Sequence, residues 1–176
     1  MLRTLTLCAA LAGAGSGVGL HAQPTSGDAV AKAKFTLTLA RFVQWPASAR
    51  GSDGSPLRIC VMHGSAALGA AFASLEGQRV AGHPVQVVAN PPDPAGCGLL
   101  FIDASAAHGS AAVIASAAGT PLLTLGAIDG FVSQGGMVEL ANVDDTLRFD
   151  VNLKALRSAR LDLSSQVLNL ARQVRH

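Results

Sequence analysis

The chain has 176 residues, of which 49% are hydrophobic and only 14% are charged. This composition supplies enough apolar material for the core of one ordinary domain, and it excludes a highly charged, disordered chain. The formal net charge is only +2, and the chain has one Trp and no Tyr. The sequence therefore lacks both the basic face and the aromatic platforms typical of a nucleic-acid-binding protein.

The first 22 residues have the pattern of a secretory signal peptide. A single early arginine precedes a short apolar run over residues 5–20, and Ala22 supplies a small residue at a suitable cleavage position. A membrane-spanning helix needs about 20 apolar residues, so this short, glycine-rich run favours cleavage over retention as an anchor. We therefore expect export, a polar lead over residues 23–27 and one domain over residues 28–176.

The first half of the domain alternates between helix and strand patterns. Asp28 can cap the first helix, and Pro46 ends it because the residue before a proline avoids the helical region. The predicted elements are, in chain order, a helix over 28–44, a Gly/Ser-rich loop over 47–56, an apolar strand over 57–62, a helix from Ser65 to about Leu75, a short strand at Arg79 and Val80, a turn at Gly82 and a strand over 84–89.

The second half repeats this alternation after a proline-rich loop over residues 90–96. The predicted elements are an apolar strand over 99–102, an alanine-rich helix from Ser105 or His108 to about Gly119, a strand over 121–125, a short turn or helical piece over 128–132, a hairpin turning at Asp144 and Asp145, and two helices capped by Asn152 and by Ser164 or Ser165. Strands that alternate with helices predict a mainly parallel sheet covered on both faces. The predicted fold class is α/β: a single-domain α/β/α sandwich with Rossmann-like layering, to which the C-terminal hairpin adds an antiparallel edge.

Two of the three cysteines remain after the expected cleavage. Cys60 and Cys97 both lie in apolar, strand-like runs. In an oxidising compartment an even pair of cysteines usually forms a disulfide, which here would tie two neighbouring parts of the sheet. Two buried free thiols are the alternative. No CxxC motif occurs, so we expect no metal site.

No constellation of catalytic residues stands out in the sequence. It contains no GxGxxG after a strand, no Walker loop, no HExxH and no GxSxG. His63, His83 and His108 are isolated, so we expect no catalytic residue, no cofactor and no enzymatic activity. Asp103 follows an apolar strand, as receiver-domain phosphoacceptors do, but the first strand lacks the acidic pair that would hold Mg²⁺. We interpret Asp103 as a loop or helix-cap residue.

Apolar residues around the glycine-rich turn that follows residue 127 are candidates for a binding surface. They are Ile128, Phe131, Val132 and Met137. Phe131 stands between a glycine and polar residues, and we predict that it is an aromatic anchor at an exposed loop tip. Ordinary core packing is the alternative for each of the four. Trp45 is a further candidate, although its position also suits packing under the first helix.

Four segments resemble a known family when they are taken together. They are residues 34–46 (KFTLTLARFVQWP), 57–61 (LRICV), 96–102 (GCGLLFI) and 130–172, the last with a Gly-Gly turn, a hairpin and two capped helices. In this order and spacing they resemble the YfiR-like family of small periplasmic proteins that repress membrane-anchored diguanylate cyclases. The first helix departs from the family's usual pattern, which carries Tyr and Asn before FVEWP. This departure leaves the identity of a partner open.

The resemblance implies how such a protein works. A family member acts in the periplasm on the extracytoplasmic part of an inner-membrane diguanylate cyclase and holds the cyclase inactive. Its release, often by an outer-membrane-associated partner, raises cyclic di-GMP and promotes biofilm formation. The repressor needs no activity of its own, because a ligand shifts an equilibrium by binding one state better than the other. The sequence does not decide whether the protein forms a homodimer.

A periplasmic small-molecule sensor is the second function class that the sequence leaves open. Parallel sheets bind ligands in a crevice at the carboxyl ends of their strands. In this chain those ends carry His63, Asp103 and Gly126. An enzyme is the third class and the least supported.

Overall fold

The computed structural model describes residues 26–47 and 54–176. The predicted signal peptide and the first residues of the polar lead lie outside the described residues. The helices are α1 (Ser26–Arg41), α2 (Ala66–Ala73), α3 (Ser110–Ala117), α4 (Leu153–Ser158) and α5 (Ser165–Leu168). The strands are β1 (Val43–Gln44), β2 (Leu57–Met62), β3 (Arg79–Val80), β4 (His83–Ala89), β5 (Leu99–Asp103), β6 (Leu123–Ala127), β7 (Val138–Val143), β8 (Thr146–Asn152), β9 (Asp162–Leu163) and β10 (Gln173–Arg175).

The described strands form a mainly parallel sheet, as the sequence predicts. Its order is β10-β8-β7-β6-β5-β2-β4-β3, and β1 pairs separately with β9. The central strands β4, β2, β5, β6 and β7 are parallel, whereas β8 pairs antiparallel with β7 and β3 pairs antiparallel with β4. The hairpin is therefore present, but it is not the edge of the sheet. Strand β10 adds to β8 in parallel and forms that edge.

The connection from β4 to β5 explains the placement of the disulfide. Both strands flank β2, and α2 already covers one face of the sheet through the buried Leu68 and Phe72. A right-handed return must therefore run over the opposite face, and it does so as a loop without a helix. The predicted Cys60–Cys97 disulfide is present, with a Cα–Cα distance of 6.0 Å and a sequence separation of 37. It pins this loop onto β2.

The core has one part on each face of the sheet. On the first face, α1 packs small alanines and Leu37 against the sheet together with α2, α4 and α5. On the second face, α3 and two loops cover a smaller cluster, which consists of Cys60, Cys97, Leu100, Ile102, Ile114, Ala117, Leu122 and Phe131. Continuous apolar strands such as β5, buried along its whole length, are what a sheet covered on both faces requires.

The predicted helix caps are confirmed at three positions. The side chain of Ser65 accepts the N–H of Leu68 at the start of α2, Asn152 caps α4, and Ser164 caps α5. Each cap satisfies a backbone donor that the first helical turn leaves free. The hairpin turn also agrees with its sequence. Asp144 and Asp145 both adopt left-handed backbone, with φ of 48° and 57°, as a tight two-residue hairpin turn requires.

Several element boundaries differ from the sequence prediction. Helix α1 begins at Ser26, so Asp28 lies in its first turn and does not cap it, and β6 covers 123–127 instead of 121–125. Helix α1 ends at Arg41 and not at Gln44, because the next residues leave the helix to pair with β9. Helix α3 begins at Ser110, after a separate 3-10 turn over Ala104–Ala106. The last predicted helix shrinks to the single turn α5, and β10 follows it. In the last three cases a strand pairing or a cap elsewhere in the chain overrides the local pattern.

Within residues 26–47 and 54–176, no helix is both long enough and apolar enough to span a bilayer.

Candidate functional site

The carboxyl ends of the central strands, where the sequence placed a ligand crevice, are occupied by structural hydrogen bonds. Asp103 is 3% exposed and accepts the backbone N–H of Ser105, which confirms its role as a helix cap. Its other carboxylate oxygen lies 3.4 Å from Lys32 Nζ, and the hydroxyl of Ser105 in turn accepts the N–H of Gly64. Asp103 thus ties α1 to the ends of β2 and β5.

His63 is held at the same end of the sheet, where its ring takes up further space beside the strand ends. Its backbone exchanges two hydrogen bonds with the side chain of Asn90, at 2.8 and 3.0 Å. Its ring lies so close to α2 that a Cβ on Gly69 would stand 2.6 Å from Cε1. Both ring nitrogens are buried and have no hydrogen-bond partner among the described residues. The ring of His63 therefore packs against α2 at Gly69.

Asp28 connects α1 to the hairpin and gives the fold an expected pH dependence. Its carboxylate lies 2.9 Å from Lys32 Nζ and accepts a hydrogen bond from Asn142 Nδ2, also at 2.9 Å. Burial alone would raise the pKa of Asp28, but the hydrogen bonds from Lys32 and Asn142 and the charge of Lys32 together lower it. A carboxyl with a lowered folded-state pKa stabilises the fold above its unfolded pKa, and this contribution disappears as the pH falls through the folded value.

We therefore expect the protein to lose stability below roughly pH 5, and part of that loss to depend on Asp28. Asp28→Asn should make the urea midpoint depend less on pH. The effect should cover the range from about pH 5 down to the folded-state pKa of Asp28. Asp129→Asn, on an exposed residue outside this network, is the control. If Asp28→Asn and the wild type have the same pH slope, the hydrogen bonds at Asp28 do not stabilise the charged form.

The structure places Phe131 inside the protein, so the prediction of an exposed loop-tip anchor is wrong. Its side chain is 0% exposed, and Val132 and Met137 are each only 3% exposed. A Cβ on Gly126 or on Gly136 would lie within the space of the Phe131 ring, at 2.2 Å from its nearest atoms. The two glycines make room for the ring between strand β6 and the turn before β7.

A buried carboxylate holds this loop in place. Glu139 on β7 accepts the backbone N–H groups of Gly130 and Val132, at 3.2 and 3.1 Å. Its cross-strand neighbour Asp150 is also buried and forms a bidentate pair with Arg172, at 2.9 and 2.6 Å. The hydrogen bonds that Arg172 donates to Asp150, together with the negative charge of Asp150, raise the pKa of Arg172. Neither carboxylate stands out in the sequence, because each alternates with apolar residues on its strand.

Because Phe131, Val132 and Met137 are buried, other side chains form the exposed apolar surface that a partner could bind. Among the described residues, the large hydrophobic side chains that remain exposed are Val30 (42%), Phe42 (41%) and Leu170 (73%). Of the residues singled out from the sequence, Ile128 and Trp45 are half-buried. Trp45 packs partly against the first core cluster, and it also borders a cleft.

That cleft has a volume of about 510 Å³ and lies at the amino ends of the parallel strands. It is therefore at the opposite end of the sheet from the carboxyl-end crevice that the alternative of a small-molecule sensor would use. Leu57 and Arg58 at the start of β2, Gly98 before β5 and Leu122 before β6 form its floor. The disulfide-bonded loop closes one side of it.

Comparisons with known proteins agree with this architecture. The model of the YfiR/HmsC-like family, DUF4154, matches residues 29–172, which is most of the chain. The chain belongs to the YfiR/HmsC-like family. This family comprises periplasmic regulators of diguanylate cyclases. No curated protein matches the chain.

Solved structures resemble this YfiR/HmsC-like chain in fold alone. The ABC domain in complex with L-Trp from Streptococcus pneumonia has 14% sequence identity and a TM-score of 0.52, over 81% of this chain and 60% of that one. A conserved domain protein from Vibrio cholerae has 12% identity and a TM-score of 0.49, over 68% of this chain and 55% of that one. The chain thus spans less than two thirds of the length of either structure.

No group of three or more His, Cys, Asp or Glu side chains in residues 26–47 and 54–176 is placed to hold a metal ion.

Proposed function

We propose that this protein is exported with cleavage after Ala22 and represses an inner-membrane diguanylate cyclase by binding its extracytoplasmic part. Repression lowers cyclic di-GMP and biofilm formation, and an outer-membrane-associated protein releases it. The match to the YfiR/HmsC-like family over residues 29–172 carries this proposal, because it covers nearly all of the described α/β domain. Repression requires only that the protein bind the inactive state of the cyclase more tightly than the active state.

The exposed apolar residues Phe42 and Leu170 are the best-supported contact points for the cyclase. Phe42 follows the last residue of α1, and its carbonyl accepts the N–H of Ser164 at 3.3 Å. Leu170 lies just after α5, the short helix that Ser164 caps, and is the more exposed of the two. The end of α1 and the α5 turn are thus joined by a backbone hydrogen bond, and each presents a large apolar side chain. A few residues near the centre of an interface usually contribute most of its binding energy.

Phe42→Ala and Leu170→Ala should each weaken capture of the cyclase at least tenfold, because the loss of an interface anchor typically costs about 2 kcal/mol of binding. The purified mature protein serves as bait for the isolated extracytoplasmic domain of the cyclase, and affinity is measured by titration calorimetry. Circular dichroism and urea denaturation verify that each variant folds cooperatively.

Val30→Ala is the matched control for this experiment. Val30 is as exposed as Phe42 but lies twelve residues earlier, roughly 18 Å away at the rise of an α-helix. Its removal should leave capture unchanged. If all three variants bind the cyclase domain as tightly as the wild type does, the contact surface lies elsewhere. If the wild type does not bind the cyclase domain, the proposed function itself is wrong.

A further inference from the structure

The cleft at the amino ends of the strands has the size and shape of a small-molecule site. Its volume of about 510 Å³ lies within the range of roughly 300–1,000 Å³ that such sites usually have. Its walls come from distant parts of the chain. Trp45 follows β1, Arg58 lies on β2, His83 begins β4, and Leu122 precedes β6. The cleft therefore exists only in the folded domain, which is typical of a binding site.

An arginine without an acidic partner marks one wall of the cleft. Arg58 is half-buried, and its side chain forms no salt bridge or hydrogen bond within the part of the chain that the structure describes. Its guanidinium lies against the loop at Gly96, where a Cβ would stand 3.2 Å from Nη1. Glycine at position 96 leaves space beside the guanidinium that a side chain would take. A half-buried guanidinium with no partner among the described residues favours a carboxylate from outside the protein.

The remaining walls are suited to a ligand that has an apolar body and one hydrogen-bond donor. Trp45, Leu57 and Leu122 supply aromatic and aliphatic surface. His83 Nδ1 lies 2.9 Å from the carbonyl oxygen of Ser55, which can only accept, so Nδ1 carries the proton. In the neutral ring, Nε2 is then left as an acceptor. Asp93 also lines the cleft, and one of its carboxylate oxygens is used by the N–H of Ala95 at 2.9 Å.

From this arrangement we infer that the cleft binds a small organic carboxylate with an aromatic or aliphatic body. The carboxylate pairs with Arg58, and the apolar body lies against Trp45 and Leu122. This inference is independent of the proposed cyclase partner, because the residues that it uses include neither Phe42 nor Leu170.

The chain offers a direct optical test, because Trp45 is its single Trp and it has no Tyr. Fluorescence excited in the tryptophan band therefore reports on Trp45 alone, a residue that lines the cleft. The wild-type protein is titrated with phenylacetate, 4-phenylbutyrate and octanoate, and in parallel with the neutral amide of each acid. We expect a saturable change in Trp45 emission with at least one carboxylate, and at least tenfold weaker binding of its amide.

Variants assign the charge interaction to one residue. Arg58→Gln should weaken binding of the carboxylate at least tenfold and leave the amide unaffected, whereas Arg58→Lys should recover part of the loss. Arg148→Gln, which removes an exposed arginine on β8, is the matched control and should bind like the wild type. Calorimetry supplies an affinity that does not depend on fluorescence.

Three results would overturn the inference: no saturable response to any of the carboxylates, equal binding of an acid and its amide, or unchanged binding in a folded Arg58→Gln variant. If Arg58→Gln fails to fold, the comparison of acids with amides on the wild-type protein still decides the question.

Discussion

Replacing Phe131 with alanine should lower the free energy of unfolding by about 3–5 kcal/mol, the usual cost of removing a fully buried phenylalanine. The ring is 0% exposed and packs with Leu100, Ile102 and Ile114 on the second face of the sheet. The ring fills the space beside Gly126 and Gly136, and neither glycine has a side chain that could occupy the space that the ring leaves. The residual cavity adds to the lost burial.

Phe42→Ala provides the matched control for this experiment, because it makes the same change at a side chain that is 41% exposed. Urea denaturation of both variants should show a loss several times larger for Phe131→Ala. Phe42→Ala should instead retain most of its stability and lose affinity for the cyclase. If both variants lose similar stability, or if Phe131→Ala unfolds like the wild type, the placement of Phe131 in the core is wrong.

Removing the Cys60–Cys97 disulfide by a Cys60→Ala, Cys97→Ala double replacement should lower the free energy of unfolding by about 2–5 kcal/mol. With a sequence separation of 37, the chain-entropy model gives a value of about 4 kcal/mol. The disulfide also has a specific structural role. It fixes the loop that runs from β4 to β5, which contains no helix, onto β2. The free energy is measured by urea denaturation of the oxidised wild type and of the double variant.

Reductant separates the effect of the bridge from that of the changed side chains. It should move the urea midpoint of the wild type towards that of the double variant and leave the variant unchanged. Alkylation of the native, oxidised protein should label neither Cys60 nor Cys97. Complete labelling of both thiols in freshly isolated protein would show that the disulfide is absent from the exported form.

The sequence predicts the sheet well because its signals there are local. Strands such as residues 99–102 are continuous apolar runs, and Ser65, Asn152 and Ser164 have side chains that can cap a helix wherever they occur. Strand β10 escaped prediction because Gln173–Arg175 is short and largely exposed, and only its pairing with β8 defines it. That pairing depends on a partner more than twenty residues away.

The candidate site was harder to predict because burial and long-range contacts decide it. Phe131 stands between turn-forming residues and looks exposed from its neighbours in sequence. Its burial depends on Gly126, five residues earlier on β6, and on a connection to β7 that must cross the second face. In the same way, the contact between Asp103 and Lys32 joins residues 71 positions apart, and local sequence patterns do not reveal such a contact.

Cyclic di-GMP production by the full-length cyclase tests the central claim most directly. The cyclase is reconstituted in liposomes with its extracytoplasmic part facing outward, and the mature protein is added outside. We predict a saturable fall in cyclic di-GMP production, and a half-maximal concentration at least tenfold higher for Phe42→Ala than for the wild type or Val30→Ala. Cyclic di-GMP production that stays unchanged at a concentration where the protein is shown to be bound would contradict the account.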